Sequence, residues 1–145
     1  MKNCVNMASV SAISDSNGWA LASGMIGHSG TEIYTNFTTT VKISHCLNLG
    51  SIYAEAGMTA IASGISNNYN YDSSIDITIT NCGNGGEISA KSLTTSGYAV
   101  ASALSRQSNG VSGYATKKYN NDSDKNHLSI VSRDTLLSMW SDVLN

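Results

Sequence analysis

Three cysteines are the residues in this sequence whose type could support metal or covalent chemistry: Cys4, Cys46 and Cys82. They are separated by 42 and 36 residues, and none of them belongs to a CxxC pair. A structural zinc ion needs about four close sulfur or nitrogen ligands, so this spacing predicts no metal site and no cofactor. An odd number of cysteines favours free buried thiols, although a single disulfide between two neighbouring strands stays open.

The histidines and carboxylates form no recognisable catalytic set. Neighbours on a strand point to opposite faces, so His45 and Cys46 are not expected to act as a catalytic pair. A sugar-cleaving enzyme on a β-helix would group two or three acids on one outer face. Asp72 and Asp76 flank a loop and could approach a neighbouring coil, so such an enzyme stays an alternative. No catalytic residue is assigned.

Aromatic residues in the loops give the best indication of a binding site. Exposed rings bind sugars or protein partners because they offer contact area at little cost in conformational entropy. The alternative is that each ring only pins its own loop. The predicted ligand-binding residues are Tyr34, Phe37, Tyr69, Tyr71, Tyr114 and Tyr119.

The sequence repeats itself three times, and the repeats must position these residues. A first block reads NCVNMASVSA from Asn3, HCLNLGSIYA from His45 and NCGNGGEISA from Asn81. A second block reads WALASGMIG from Trp19, TAIASGISN from Thr59 and YAVASALSR from Tyr98. Short runs that alternate apolar with small or polar residues are typical of strands. Similarity at a period of this length indicates a stacked array.

Each repeat is therefore predicted to form one coil of three short strands, with equivalent positions stacked roughly 4.8 Å apart. The cysteines would point inward, and each asparagine would sit at a corner and bond to backbone or to the next asparagine. Glycine or alanine would give that corner its backbone freedom. The predicted structural ladder consists of Cys4, Cys46, Cys82, Asn6, Asn48 and Asn84.

These blocks resemble the GLUG-type repeats of bacterial cell-surface and adhesin-like proteins. The first block matches their Asn-Cys-x-Asn-x-Gly-x-Val/Ile element, and Gly24-Met25-Ile26-Gly27 matches the later Gly-apolar-apolar-Gly element. The second and third copies keep only part of the latter. The resemblance covers roughly residues 3–106, and it implies a β-solenoid, an extracellular or cell-surface location and no catalytic residues.

Composition narrows the range of partners. The 145 residues carry a net charge of −2, and only 12% of them are charged. Neutralising phosphates needs clustered Lys and Arg, so no nucleic-acid partner is expected. No apolar run approaches the roughly 20 residues that span a bilayer, and residues 1–10 do not form a signal peptide. An export signal would lie outside this chain.

The end of the sequence predicts an amphipathic helix over residues 130–145 that packs on the last coil as a cap. Ser132 fits the N-cap position, and Val131 and Leu136 fit a hydrophobic staple. Residues 117–129 are charged and rich in asparagine, so they are predicted to form a linker or exposed loop. The solenoid would cover residues 1–116, with coils at about 1–40, 41–76 and 77–116.

We therefore expect an all-β fold, a right-handed parallel β-solenoid of about three coils with a C-terminal capping helix. A leading strand precedes the two later copies, as VKIS from Val41 and ITIT from Ile77, but only Met1 and Lys2 precede Asn3. The chain is therefore expected to belong to a longer repeat protein. The expected function is that of a non-enzymatic surface module, which presents loops to a glycan or to a host or cell-surface protein. A passive structural spacer and the β-helix enzyme are the alternatives.

Overall fold

The computed structural model describes residues 1–27, 39–67, 75–106, 110–122 and 127–145. The described part is mostly strands, which are numbered here in chain order. They are β1 (Val5–Asn6), β2 (Val10–Ile13), β3 (Trp19–Ser23), β4 (Thr39–Ser44), β5 (Leu47–Asn48), β6 (Ile52–Ala56), β7 (Thr59–Ser63), β8 (Ile75–Asn84), β9 (Ile88–Ser92), β10 (Tyr98–Ser102), β11 (Gly110–Ala115) and β12 (His127–Ile130). Two short helices follow, α1 (Arg133–Met139) and α2 (Ser141–Leu144).

The strands form three sheets, and the strands within each sheet run parallel to one another. Sheet A has the order β1-β5-β8-β11-β12, and β4 also pairs with β8. Sheet B has the order β2-β6-β9, and sheet C has the order β10-β7-β3. Each sequence repeat thus gives strands to all three sheets, and we call the three sets repeat 1 (β1–β3), repeat 2 (β4–β7) and repeat 3 (β8–β10). The prediction of an all-β fold is confirmed.

Equivalent positions of the sequence blocks pair with each other in the structure. Asn6 pairs with Asn48, and Asn48 pairs with Asn84. In sheet B the register joins Val10 to Ile52, and in sheet C it joins Ala20 to Ala60. Because side chains alternate along a strand, a slip of one residue would turn every buried side chain outward. The shared pattern therefore fixes the register.

Two core clusters follow from the residue types in the blocks. Sheets B and C enclose small residues, and this cluster contains Ala20, Ala22, Ile52, Ala54, Ala56, Ala60, Ala62, Ile88 and Ala101. Alanines leave room for the two sheets to approach closely. Larger side chains line the inner face of sheet A, and this cluster contains Ile43, Cys46, Ile65, Ile77, Ile79, Cys82, Leu104 and Val111.

The residue before each cysteine has a left-handed backbone, which the sequence did not predict. Asn3, His45 and Asn81 have positive φ values of 56°, 50° and 50°. The prediction assigned backbone freedom to the glycine or alanine at the corner after each ladder asparagine, but no described glycine has a positive φ. Asparagine tolerates the left-handed conformation better than most residues do, which fits its presence at two of the three positions.

The predicted helix over residues 130–145 forms as two helices, α1 and α2, that begin only at Arg133. It also lies elsewhere than predicted. Ser132 is its N-cap and accepts a hydrogen bond from the Thr135 amide, as the sequence predicts. The fully buried Leu136 and Trp140 pack with Leu47 on the outer face of sheet A. The helix therefore crosses the side of the stack and does not cap its end.

Two glycines of repeat 3 make room for this helix. A Cβ atom on Gly83 would lie 2.8 Å from Trp140 Cη2, and one on Gly85 would lie 3.0 Å from Leu136 Cδ2. Repeat 2 has Leu47 and Leu49 at the same positions. The sequence NCGNGG thus forms a groove beneath the helix.

The region predicted to be a linker carries structure of its own. Its described part includes most of β12, which pairs with β11 at the edge of sheet A. Asp122 Oδ1 accepts a hydrogen bond from the Ala103 amide at 2.9 Å, and Asn120 Oδ1 accepts one from the Ala101 amide at 3.0 Å. These side chains cover the edge of sheet C where a further strand would bind. Sheet A also extends past repeat 3 through β11, which the predicted coil boundaries included in the third coil.

Candidate functional site

The asparagine ladder forms as predicted. Asn6 Nδ2 donates to Asn48 Oδ1 at 2.7 Å, and Asn48 Nδ2 donates to Asn84 Oδ1 at 2.7 Å. Each of the three also donates to the carbonyl two residues later, at 2.8 to 2.9 Å. Asn48 and Asn84 are fully buried, so the ladder is a structural element and not a surface for ligands.

The cysteines occupy the position next to this ladder. Each thiol donates to the carbonyl two residues earlier, at 3.3 to 3.5 Å, and all three thiols are free. Cys46 and Cys82 are fully buried, whereas Cys4 is half-buried at the edge of the stack. The hydrogen bond shared with Cys46, together with burial, raises the pKa of the Cys82 thiol far above its ordinary value. Cys46 and Cys82 belong to the buried cluster on the inner face of sheet A, so these two thiols act as packing.

Glu55 and Glu87 are engaged with separate partners, whereas the buried Oδ1 of Asp76 has no hydrogen-bond partner among the described residues. Glu55 accepts hydrogen bonds from Tyr53 and from Lys91, the latter at 2.8 Å. Lys91 and Tyr53 lower the pKa of the Glu55 carboxyl. Glu87 pairs with Lys117 at 3.1 Å. Asp72 lies outside the described residues, and the described residues contain no group of three His, Cys, Asp or Glu that could hold a metal.

His45 takes part in the contact between sheet A and the helix. Its ring stacks on Trp140 with centroids 5.2 Å apart, and Nε2 lies 3.1 Å from the Asp142 carboxylate. Asn81 Nδ2 donates to Nδ1 at 3.2 Å. Both ring nitrogens are thus occupied, and the side chain serves to hold the helix.

The predicted aromatic site is only partly within the described chain. Tyr34, Phe37, Tyr69 and Tyr71 lie outside the described residues. Tyr114 stands edge-on to Trp140, with centroids 6.1 Å apart, beneath the helix. Its role as a ligand-binding residue stays a prediction.

Tyr119 fills a different position, against the core between sheets B and C. Its hydroxyl accepts a hydrogen bond from the Ile88 amide at 3.1 Å and donates to the Gly86 carbonyl at 3.2 Å. Burial raises the pKa of this hydroxyl. The structure therefore does not bring Tyr114 and Tyr119 together on one surface.

An exposed aromatic surface lies instead at the corner between sheets B and C. The corner strip, as we call it, consists of Trp19, Met58, Leu93 and Tyr98, which are 38%, 52%, 44% and 47% exposed. Trp19 and Tyr98 both pair with Thr59, so their strands lie two spacings apart, roughly 10 Å. The Arg106 guanidinium stands 5.2 Å from the Tyr98 ring centroid.

Sequence reasoning missed the corner strip, although a signal for it was present. The second block opens with Trp19, Thr59 and Tyr98, and each is followed by an alanine. Since side chains alternate across a strand, inward alanines require these opening residues to face outward. The predicted binding residues lie in or near the long loops, whereas Trp19 and Tyr98 open strands β3 and β10.

Comparison with protein-family models, with curated proteins and with solved structures gives no match for this chain. Fold and site define an all-β protein of three sheets, each made of parallel strands. Its described part exposes the corner strip. Of the helices in that part, none has the length and apolar character needed to cross a membrane.

Proposed function

We propose that the chain is a right-handed β-solenoid of GLUG-type repeats that acts as a non-enzymatic module at a bacterial cell surface. Support for the solenoid comes from the strand order, since each sheet receives its strands in the order of the repeats. Parallel crossovers are right-handed in nearly all known cases. The module binds a glycan or a host or cell-surface protein through its loops and the corner strip.

The single observation that carries the binding role is the exposure of Trp19 and Tyr98 in one in-register column. Indole and phenol rings dominate binding energies because they bury a large area with few rotatable bonds. Thr59 between them supplies a hydroxyl. Two rings two strands apart, with a hydroxyl between them, suit the alternating apolar faces and hydroxyl groups of an extended sugar chain.

A glycan array and a panel of immobilised host surface proteins test this proposal. We expect the wild-type chain to bind a member of one panel, and we expect Trp19→Ala with Tyr98→Ala to weaken that binding by about tenfold or more. The variant Tyr69→Ala with Tyr71→Ala tests the loop residues in the same assay. Ile130→Ala is the matched control, because Ile130 is 51% exposed on β12 of sheet A, whereas the strip lies between sheets B and C.

Failure of the wild-type chain to bind either panel would contradict the binding role and favour a passive spacer. Unchanged binding by both aromatic variants would also contradict it. The proposed location is tested separately, by labelling intact cells of the source bacterium with an antibody against this chain. Labelling only after the cells are broken open would exclude the surface.

A further inference from the structure

Neighbouring repeats approach so closely at certain corners that only glycine fits there. A Cβ atom on Gly50 would lie 1.9 Å from the Ala8 carbonyl oxygen of repeat 1. One on Gly86 would lie 2.0 Å from the Gly50 carbonyl oxygen of repeat 2. At this corner each repeat therefore presses its Cα hydrogens against the carbonyl of the repeat before it.

Repeat 1 breaks this rule, because Ala8 occupies the position that is glycine in repeats 2 and 3. Because Ala8 is equivalent to Gly50 and Gly86, its methyl group points away from repeat 2. It therefore lies at the edge of repeat 1 that has no neighbouring repeat in this structure. Ala8 is exposed, in agreement with that direction. A preceding layer of the same kind would place its own carbonyl about 2 Å from this methyl carbon, by the spacing of Gly86 and Gly50.

A second corner shows the same substitution. A Cβ atom on Gly57 would lie 1.8 Å from the Ser16 carbonyl oxygen, and one on Gly97 would lie 2.3 Å from the Gly57 carbonyl oxygen. Repeat 1 has Ser16 at the corresponding corner, and Ser16 is exposed. A side chain replaces glycine again where it would meet a preceding layer.

At a third corner, a Cβ atom would point toward the following repeat rather than the preceding one. Here glycine is replaced in the last repeat rather than in the first. A Cβ atom on Gly24 would lie 2.3 Å from the Gly64 carbonyl oxygen, and one on Gly64 would lie 2.0 Å from the Ala103 carbonyl oxygen. Here the last repeat carries the alanine, at Ala103. The amide of Ala103 binds the Asp122 carboxylate, so a cap and not another repeat lies against it.

We propose that repeat 1 is a terminal layer, and that Ala8 and Ser16 bar a like repeat from stacking on its free edge. This inference differs from the expectation that further repeats of the same kind stack before Asn3. It is compatible with a preceding segment of any other structure. It also disfavours head-to-tail fibres of this chain, because Asn120 and Asp122 cover the edge of sheet C at the opposite end.

The test adds one repeat to the full chain. Lys2 aligns with Ser44 and Ser44 aligns with Thr80, so a copy of residues 43–78 joined before Met1 supplies one complete repeat in register. The wild-type fusion is compared with a fusion that carries Ala8→Gly and Ser16→Gly. A third fusion carries Ala8→Gly and, in place of Ser16→Gly, exchanges residues 14–18 for the three-residue sequence Ala-Gly-Met of residues 56–58, to match the corner of repeat 2.

Hydrogen exchange at Ser11 and Ile13 reports the outcome. The amides of Val10 and Ser14 donate to repeat 2, so the alternating amides of Ser11 and Ile13 face the free edge. We expect these two amides to exchange about 100-fold more slowly in a glycine fusion than in the wild-type fusion. Gly50→Ala in the unfused chain is the internal control, and it should destabilise the existing contact between repeats 1 and 2. Equal protection in all fusions, or no protection in any, would overturn the proposal.

Discussion

At the scale of single residues, the buried asparagines decide how the repeats align. Asn48 accepts a hydrogen bond from Asn6 and donates to Asn84 and to the Gly50 carbonyl, so its amide group is satisfied. Burying an unsatisfied amide costs free energy. A Cβ atom on Gly24 would lie 2.6 Å from Asn48 Oδ1, so the amide also rests against the glycine of the second block. The asparagine of the first block and the glycine of the second block therefore pack against each other.

The ladder predicts different costs for its inner and outer members. Asn48→Ala leaves Asn6 Nδ2, Asn84 Oδ1 and the Gly50 carbonyl each short of a partner, so we expect the free energy of unfolding to fall by about 2–3 kcal/mol. Asn6→Ala, at the half-exposed end, should cost about 1 kcal/mol because water replaces the lost bonds. Urea unfolding measures both, with the midpoint shifting at constant slope. Equal losses in the two variants would show that the ladder does not act as a chain.

At the scale of elements, side chains rather than a strand cover the edges of sheets B and C that follow repeat 3. An open edge exposes unpaired backbone groups and invites aggregation. Asn120 and Asp122 accept hydrogen bonds from the amides of Ala101 and Ala103, and Tyr119 accepts one from Ile88. This short segment thus gives sheets B and C what a fourth repeat would give them.

Asp122 should make this cap sensitive to pH. Burial raises the pKa of its carboxyl above the ordinary value, although the amides of Tyr119 and Ala103 oppose the shift. The folded state then holds the proton more tightly than the unfolded state, so this contribution is complete below the ordinary pKa of about 3.9 and is lost as pH rises through the folded pKa. We expect the free energy of unfolding of wild type minus that of Asp122→Asn to decrease between about pH 3 and pH 7.

Urea unfolding across that range measures the difference. Glu55→Gln is the control of opposite sign, because Lys91 and Tyr53 lower the pKa of Glu55. Its contribution is present above the ordinary pKa and is lost as pH falls through the folded pKa. A difference for Asp122→Asn that stays flat or increases with pH would contradict the assigned shift.

The elements differ in how far the sequence could predict them. Strand pairing within the repeats was predictable, because Asn6, Asn48 and Asn84 recur with the same neighbours. The start of the helix was predictable from Ser132, since a cap is a local signal. Its position was not, because the groove at Gly83 and Gly85 exists only after distant segments have folded. The roles of Tyr119 and Asp122 likewise depend on an edge that local sequence does not reveal.

The exposed strip shows the same limit on the candidate site. Trp19 and Tyr98 open equivalent strands, so their outward direction could be read from the alternation with alanine. Their exposure could not be read from sequence, because it depends on what the rest of the chain leaves uncovered. Tyr114 is a tyrosine like Tyr98, yet Trp140 lies against its ring.

At the scale of the whole molecule, the helix ties together layers that otherwise touch only their neighbours. Stacked repeats gain stability mainly from nearest-neighbour contacts, so a terminal layer can open alone. The helix cluster contains Val5 of repeat 1, Leu47 of repeat 2 and Tyr114 of β11. Arg133 adds a hydrogen bond to the Gly85 carbonyl of repeat 3, at 3.0 Å. One element thus contacts four successive layers of sheet A.

Removing the central anchor of the helix should therefore loosen repeat 1 first. Trp140→Ala deletes a fully buried ring, and we expect a loss of about 3–5 kcal/mol in the free energy of unfolding. Repeat 1 has one neighbouring layer and repeat 2 has two, so amide exchange at Val10 and Ser14, which bind repeat 2, should speed up more than exchange at Ile52, which binds repeat 3. Leu137→Ala, on the same helix but outside the buried cluster, should leave both rates nearly unchanged. If Trp140→Ala accelerated exchange equally at all three amides, the layers would be coupled through their core, and the helix would add stability without joining them.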